Sequence, residues 1–372
     1  MNPARGAPRL RVALIAPTLR ILGGQAVQAD SLLRAWQDDP EVQARLVPVN
    51  PTPPRPLRRA VEIKYARTVA TQLTYWPLLV RELRHVDVVH VFSASYSSFL
   101  LAPVPAVIVA RQLRKPVVMN YHSGEAPDHL RRSAIARAVL RRVDRNAVPS
   151  RFLEDVFAGF GIQTEVIPNI VDVDRFAFRR RVPLKPRILS TRNFEGMYNV
   201  SCTLRAFQLV QQQRPDATLT LVGGGSLESS LKGLAGELGL KNVRFIGRVA
   251  PADIWRYYAE ADIYLQTPNI DNMPVSVLEA FASGCGVVAT NAGGVPAILT
   301  HGEHGLLVNC NDHEAAAASV LRLLDEAAVA DRLTRAARDT CERYRWANVR
   351  PQWLAIYRAA AGLAGLPNPI PV

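Results

Sequence analysis

The chain has 372 residues, 48% hydrophobic and 21% charged, with 45 Lys and Arg against 32 Asp and Glu for a net charge of +13. That length exceeds what one hydrophobic core usually supports, so two α/β domains are expected. No apolar run reaches the roughly 18 residues of a membrane span, because Val86 to Leu101 is broken by Asp87, His90 and several serines. Leu10 to Pro17 is also too short for a signal-peptide core. The four cysteines, Cys202, Cys285, Cys310 and Cys341, lack metal-site spacing and suit reduced thiols in a cytoplasm.

In chain order, Leu10 to Pro17 reads as a strand, Thr18 to Gln25 as a loop holding Gly23 and Gly24, and Ala26 to Asp38 as a helix. The apolar side of that helix carries Val27, Leu32, Leu33 and Trp36. A glycine loop before a helix suits backbone contact with phosphate or sugar, although glycine pairs also occupy ordinary turns. Further strands are expected at Val42 to Val49, Val86 to Phe92, Pro116 to Tyr121 and Ala147 to Pro149, with helices between. Asn50 to Pro56, with its four prolines, reads as a loop.

After a stretch rich in Arg and Pro between Asp174 and Lys185, a second array starts. It comprises strand Arg187 to Thr191, helix Val200 to Gln213, strand Ala217 to Val222, loop Gly223-Gly224-Gly225-Ser226, helix Leu227 to Leu238 and strand Val243 to Ile246. The polar loop Asp271 to Pro274 then opens a helix from Val275 to Ala282, which stops at Ser283-Gly284 before a buried strand, Val287 to Thr290. Tyr344 to Ala364 carries Trp346, Val349, Trp353, Ile356 and Tyr357 in a mostly helical pattern. Alternation of strand and helix in both halves argues for two doubly wound parallel sheets.

Such sheets hold ligands at the carboxyl ends of their strands. Arg192 follows a buried strand there, a fixed cation able to grip two phosphate oxygens at once. Asp271 and Glu279 set two carboxylates eight positions apart around a helix start. The amides of Asn272, Met273 and Val275 suit hydroxyl or phosphate oxygens, and the carboxylates suit the vicinal hydroxyls of a sugar or ribose. The plain alternative is an ordinary αβ unit with a solvated Asp and a surface Glu.

Charge is uneven. Residues 1–180 hold 26 basic and 15 acidic side chains, net +11, and the remainder only +2. The cations cluster at Arg55, Arg58, Arg59, Lys64 and Arg67, at Arg81 and Arg84, at Arg111, Arg114 and Lys115, and from Arg131 to Arg145. With Leu57, Val61, Tyr65, Leu73, Tyr75 and Trp76 among them, residues 55–84 read as an amphipathic basic helix suited to an anionic bilayer surface. Nucleic acid is the competing partner, but no recognised nucleic-acid module is present, so none is expected. Plain solvation of the surface is the remaining reading.

The segment Asp271 to Thr290 resembles the acidic Glu-x7-Glu signature of retaining glycosyltransferases of family 4 (glycosyl transferases group 1), which have the GT-B fold; Asp271 replaces the first glutamate. Val166 to Phe176 resembles the family's interdomain segment, Arg192 its donor-phosphate arginine, and Gly247 to Pro268 its base-binding turn and following helix. Gly293-Gly294-Val295-Pro296 and His301 to Val308 follow in family order. The resemblance implies two Rossmann-like domains facing a cleft. Residues 1–178 would form an N-terminal acceptor-binding domain, 179–344 a nucleotide-sugar-binding domain, and 345–372 a helix crossing back to the first.

By the same resemblance, His122, after the strand ending at Tyr121, contacts the transferred sugar or supports charge near its anomeric carbon. Arg192 and the amide of Gly24 stabilise the leaving phosphate, Asp271 with Asn272, Met273, Pro274 and Val275 meets sugar hydroxyls, and Glu279 binds the ribose. Arg248 and Val249 flank the base, and Gly224, Tyr198 and Asn199 complete the donor site. Two departures stand out. The family's lysine a few residues after the arginine is missing from Glu195-Gly196-Met197-Tyr198-Asn199, with Tyr198 nearest its place, and Ala297 stands where an acidic residue is common. The activity implied is metal-independent transfer from a nucleotide-diphosphate sugar, with no cofactor, by front-face attack. The acceptor implied is a glycan or lipid-linked intermediate of cell-envelope, exopolysaccharide or glycolipid synthesis, with the protein cytoplasmic and peripheral on the inner membrane face. The alternatives are a sugar-nucleotide-binding protein impaired in transfer, or an epimerase or phosphorylase on the same fold.

Overall fold

The computed structural model describes residues 9–20, 23–52 and 64–363. The chain divides into two compact units, Met1–Ile170 with Val349–Val372, and Val171–Asn348. Each is built on a parallel sheet of six strands among the described residues.

In the first unit the strands are β1 (Leu10–Ala16), β2 (Val42–Pro48), β3 (Val88–Ser93), β4 (Val117–Tyr121), β5 (Arg145–Val148) and β6 (Glu165–Val166), in spatial order β2-β1-β3-β4-β5-β6. Parallel strands covered by helices on both faces need apolar side chains on both, and β1 and β3 comply with near-continuous Val, Ile, Leu and Ala. Val12 to Ala16 and all of β3 are buried. The one ionisable exception in β3, His90, is matched by the C-terminal helix Trp346–Ala360. Trp353 of that helix stacks on the His90 ring at 4.6 Å, and the Tyr357 hydroxyl lies 2.7 Å from His90 Nδ1. Arg350 donates to Asp39 at 2.6 and 3.1 Å, and Arg350 and Arg358 both reach Glu41, tying this helix to the start of β2.

The helix Lys64–Leu83 buries Ala70, Tyr75, Leu79 and Leu83 and leaves Val69, Leu73 and Trp76 exposed, so it is apolar on two sides. The rest of the expected basic helix, with Arg55, Arg58 and Arg59, lies outside the described residues.

The second unit comprises β7 (Arg187–Ser190), β8 (Thr218–Val222), β9 (Val243–Gly247), β10 (Ile263–Gln266), β11 (Gly286–Thr290) and β12 (Leu306–Val308), in spatial order β12-β11-β10-β7-β8-β9. Strands β6, β10 and β12 went unassigned in the sequence reading, being only two to four residues long. The division between units falls after Ile170 and not at 178, and the C-terminal portion joins the first unit from Val349. The physical reason is burial: Val171, Val173 and Phe176 belong to the second unit's core, and the Val171 amide donates to the Tyr344 carbonyl at 3.0 Å.

The Arg- and Pro-rich stretch expected as a boundary is an anchor of this second unit. Asp262, just before β10, accepts from Arg179 at 2.8 Å, Arg181 at 3.2 Å and Arg187 at 2.8 Å, and from the Lys185 amide at 2.6 Å. Arg181 is itself buried and spends its remaining donors on the carbonyls of Arg179, Ser283 and Tyr258. Removing one partner of a buried charge cluster leaves the others uncompensated, at a cost of about 3–5 kcal/mol. Asp262→Ala is therefore expected to destabilise the second unit by about that amount; a melting temperature equal to wild type in calorimetry would rule out this anchoring role.

Candidate functional site

The second unit's site grows from the loops that leave the carboxyl ends of β7, β8 and β10. At Gly223, whose φ is +153°, a Cβ would lie 2.1 Å from the Arg192 carbonyl oxygen, and at Gly225 one would lie 2.4 Å from that of Phe194. The two loops thus pack backbone on backbone, laced by Phe194 N to Gly224 O at 3.2 Å and Leu227 N to Phe194 O at 3.0 Å. Gly223 and Gly225 are required by this approach, which sets where Arg192 begins. At Gly224 a Cβ would come within 3.2 Å of the Arg248 side chain, so these two candidates are neighbours, with Arg248 exposed and Val249 half-buried beyond it.

Arg192 is 10% exposed and Asp271 12%, and their Nη2 and Oδ2 are 2.5 Å apart. Arg192 Nη1 donates to Ser276 Oγ at 3.1 Å, and its guanidinium carbon sits 4.2 Å from the centre of the Tyr198 ring. Its Nε is buried and makes no hydrogen bond among the described residues. Burial is the largest influence and opposes the charge, but Asp271 together with Tyr198, Tyr264 and Tyr258 outweighs it and holds the guanidinium above its ordinary pKa. Tyr198, standing where the family lysine was expected, supplies a ring face in place of a second cation. Asn199 next to it adopts φ 45° and ties to Asn311 at 2.8 Å.

Asp271 also accepts from its neighbour's amide, Asn272 N, at 2.8 Å, while its carbonyl receives Gly294 N at 3.1 Å. Asn272, Met273 and Pro274 are buried, Val275 is half-buried, and Pro274 caps the helix Val275–Ser283. Glu279 lies one turn in. Burial pushes its carboxyl up to about 7, against a hydrogen bond from Tyr258 and the charges of Arg175 and Arg192, so it changes charge near neutrality. Tyr258 is pinned by Thr191 Oγ1 at 2.7 Å, and its hydroxyl oxygen lies 3.2 Å from the Ser276 carbonyl, which competes with Glu279 for its one proton.

Arg175, Ser276 and Tyr258 were therefore missed as members of this cluster. The signal for Arg175 was available in the run Val166 to Phe176, but nothing in the spacing says that it reaches Glu279. The direct Arg192–Asp271 pair was likewise not foreseen; the sequence reading gave each its own ligand group.

In the first unit, His122 follows β4, its amide donating to Ser93 O at 3.1 Å. Its ring stacks on Phe92 (5.2 Å), which stacks on His90 (4.8 Å), so a column of rings runs from Trp353 to His122. Asn120 Nδ2 reaches His90 Nε2 at 3.0 Å. Burial pushes the His122 imidazole down to about 4, so at neutral pH it offers hydrogen bonds and no positive charge. Its Nε2 has no hydrogen-bond partner among the described residues and lies by a small cavity of 10 Å³ lined also by Asn120 and Gln28. Gly24 is the first residue of the helix Gly24–Ala35, and a Cβ there would meet nothing within 4 Å. Crowding in the fold therefore does not demand this glycine.

No group of three or more His, Cys, Asp or Glu side chains that could hold a metal ion occurs among the described residues. No described helix is long and apolar enough to cross a membrane.

The raised pKa of Glu279 has a testable sign. Between its unfolded value of 4.5 and its folded value of about 7, the folded chain holds more proton than the unfolded one. The stability this contributes is present below pH 4.5 and is lost as pH rises through about 7. Relative to Glu279→Gln, the wild-type protein should lose up to about 3 kcal/mol across that window in urea titrations; parallel pH profiles would show that Glu279 is not buried as described.

Two family profiles match in tandem: "Glycosyltransferase Family 4" over residues 22–175 and "Glycosyl transferases group 1" over residues 174–340. The phosphatidyl-myo-inositol mannosyltransferase of Mycobacterium tuberculosis is 26% identical over 381 residues, covering 95% of this chain and 98% of that one. The sulfoquinovosyl transferase SQD2 of Arabidopsis thaliana is 26% identical over 77% of this chain and 60% of its own length. Among solved structures, Anabaena HepE in complex with UDP and glucose superposes with a TM-score of 0.72 at 17% identity, covering 93% of this chain and 98% of that one. The two parallel sheets, the order of the site elements and these matches agree: the chain belongs to glycosyltransferase family 4, the glycosyl transferases group 1, and is a glycosyltransferase of GT-B fold.

Proposed function

We propose that this glycosyltransferase transfers a sugar from a nucleoside-diphosphate sugar to a hydroxyl with retention at the anomeric carbon, without a metal ion. The observation that carries the reading is the buried Arg192–Asp271 pair beside Glu279. In the structure the carboxylate of Asp271 is paired with the guanidinium. A donor diphosphate takes that place, and Asp271 is released to accept hydrogen bonds from sugar hydroxyls, so one exchange serves both ends of the donor. Glu279, ionised above about pH 7, accepts from the ribose hydroxyls, with Tyr258 orienting it.

In the proposed step the acceptor oxygen bonds to the anomeric carbon on the face the diphosphate leaves. The bond from that carbon to the phosphate oxygen breaks, and the acceptor's proton passes to the departing phosphate. Charge grows on that phosphate, and Arg192 is preorganised to meet it. Tyr198 shields the guanidinium from water, which strengthens the single cation that remains where the family has two. His122 serves as a neutral hydrogen-bonding group toward the sugar.

Calorimetric titration with UDP, GDP, ADP and dTDP and their common sugar conjugates is the test. One nucleotide should bind selectively, and Arg192→Ala should abolish that binding and cut transfer by about 10²–10³-fold while leaving the fold intact. An unchanged rate in the variant would sink the assignment. The second reading, a donor-binding protein impaired in transfer, is favoured by Tyr198 in the lysine position; it predicts donor binding with neither transfer nor slow donor hydrolysis.

For the acceptor we propose a lipid-linked or cell-envelope glycan met at the cytoplasmic membrane face. The support is the +11 charge of residues 1–180 and the exposed Val69, Leu73 and Trp76 beside Arg67 and Arg81. Each well-placed cation adds about 1 kcal/mol toward anionic lipid. The protein should co-sediment with anionic vesicles at low ionic strength and be released at ~1 M salt, where the Debye length is about 3 Å; vesicles that never bind it at low salt would remove the membrane from this reading.

A further inference from the structure

At the opposite end of the second sheet from Arg192 lies a cavity of 510 Å³, within the range of small-molecule sites. Its floor is the face of β7, β8 and β9 that elsewhere in this sheet is apolar: Leu189, Val222, Tyr264 and Val287 on that face are buried in the core. Here the face turns polar, because Arg187 pairs in register with Thr218, and Thr220 with Arg244. Neighbours in register point the same way, so two guanidiniums and two hydroxyls share one patch. Five residues separate Arg187 from Arg192 and Thr218 from Gly223, which places the patch about 16 Å from the donor loops.

The cations here are only partly used. Arg187 gives Nη2 to Asp262, but its buried Nε has no hydrogen-bond partner among the described residues. Arg244 meets Glu260 at 3.7 Å, with both side chains more than half exposed, a pair worth little in water. The roof is the helix Trp255–Glu260, which contributes Tyr257 and Glu260 to the cavity while Tyr258, the next residue after Tyr257, holds Thr191 and the Ser276 carbonyl at the donor site.

We propose that this cavity binds a small phosphomonoester carrying hydroxyls, of the size of a sugar phosphate, and that the helix Trp255–Glu260 couples its occupancy to nucleotide binding. The phosphoryl oxygens take the donors of Arg187 and Arg244, which suit tetrahedral oxyanions, and the hydroxyls meet Thr218 and Thr220. The phosphoryl charge held by Arg187 and Arg244 lies beside Glu260 and repels that carboxylate, displacing the roof helix, and Tyr258 carries the change to Glu279. The coupling rests on the donor-site reading above, whereas the binding does not.

Calorimetry with glucose 6-phosphate, using inorganic phosphate and unphosphorylated glucose as controls, separates the two. In Arg192→Ala protein, where the donor site is disabled, glucose 6-phosphate should still bind, glucose should not, and inorganic phosphate should bind more weakly. Adding Arg244→Ala or Thr220→Val should weaken binding about tenfold, the loss of one good hydrogen bond. Both positions lie away from the core, so folding is checked by an unchanged melting temperature. In otherwise wild-type protein, saturating glucose 6-phosphate should change the Kd of the preferred nucleotide at least threefold, and Arg244→Ala should abolish that change. No binding to Arg192→Ala protein, or binding indifferent to both cavity substitutions, overturns the site; binding with an unaltered nucleotide Kd overturns the coupling.

Discussion

The position of Arg192 depends on a backbone contact that only glycine permits, since any side chain at Gly223 would collide with the arginine's own carbonyl. Around that contact the loops after β7, β8 and β10 converge, and the buried guanidinium then dictates its company. A charge removed from water needs a counter-charge and hydrogen-bond acceptors close by, and Asp271 and Ser276 supply both. Tyr198 closes the remaining face. Charge is thereby balanced within the Arg192–Asp271 pair, and the Nε of Arg192 and the Nε2 of Gln266 remain buried without hydrogen-bond partners among the described residues.

The same unit uses buried arginine in a second way, and the contrast is instructive. Asp262 binds three guanidiniums together with a backbone amide, while Arg181 is consumed by carbonyls as well. Asp262 itself has no capacity left for a ligand, so that cluster holds the chain between Phe178 and Arg187 against the sheet, and of its guanidiniums Arg187 keeps a buried Nε without a hydrogen-bond partner among the described residues. Arg192 has one strong partner, the Asp271 carboxylate, which in the proposed function a donor diphosphate replaces. A buried Arg–Asp contact stands at the centre of both places; what differs is the number of partners that share the carboxylate.

In the first unit, burial decides the chemistry of histidine. His90 and His122 both lie among aromatic rings, and burial drives their pKa values down, so neither carries charge at neutral pH. His90 is satisfied by Tyr357 and Asn120, whereas His122 keeps an unpartnered nitrogen. The first is a core group that locks the C-terminal helix to β3; the second keeps hydrogen-bonding capacity that no described residue uses.

Most of the fold was legible in the sequence. Long apolar β-branched runs such as those of β1, β3 and β8, the glycine stop at Gly284 and the helix Val200–Gln213 follow from local preference and periodicity. The placement of Arg192 just after a strand, and of Asp271 in the loop that opens the helix holding Glu279, was legible too, because strand ends followed by polar loops are marked by an abrupt change from apolar to polar residues. Strands of two to four residues such as β6, β10 and β12 were not, since so few residues carry no period and their identity comes from neighbours in the sheet. The division at Ile170 was hidden because composition marks Arg and Pro, while burial of Val171, Val173 and Phe176 decides which core owns the segment. Tertiary structure alone paired Arg192 with Asp271 across 79 positions, brought Arg175 and Tyr258 near Glu279, and lowered the pKa of His122 by burying it. A sequence specifies which groups a chain possesses and how each short segment prefers to lie; which groups share a desolvated volume, and hence which keep their charge, is settled only when distant segments pack.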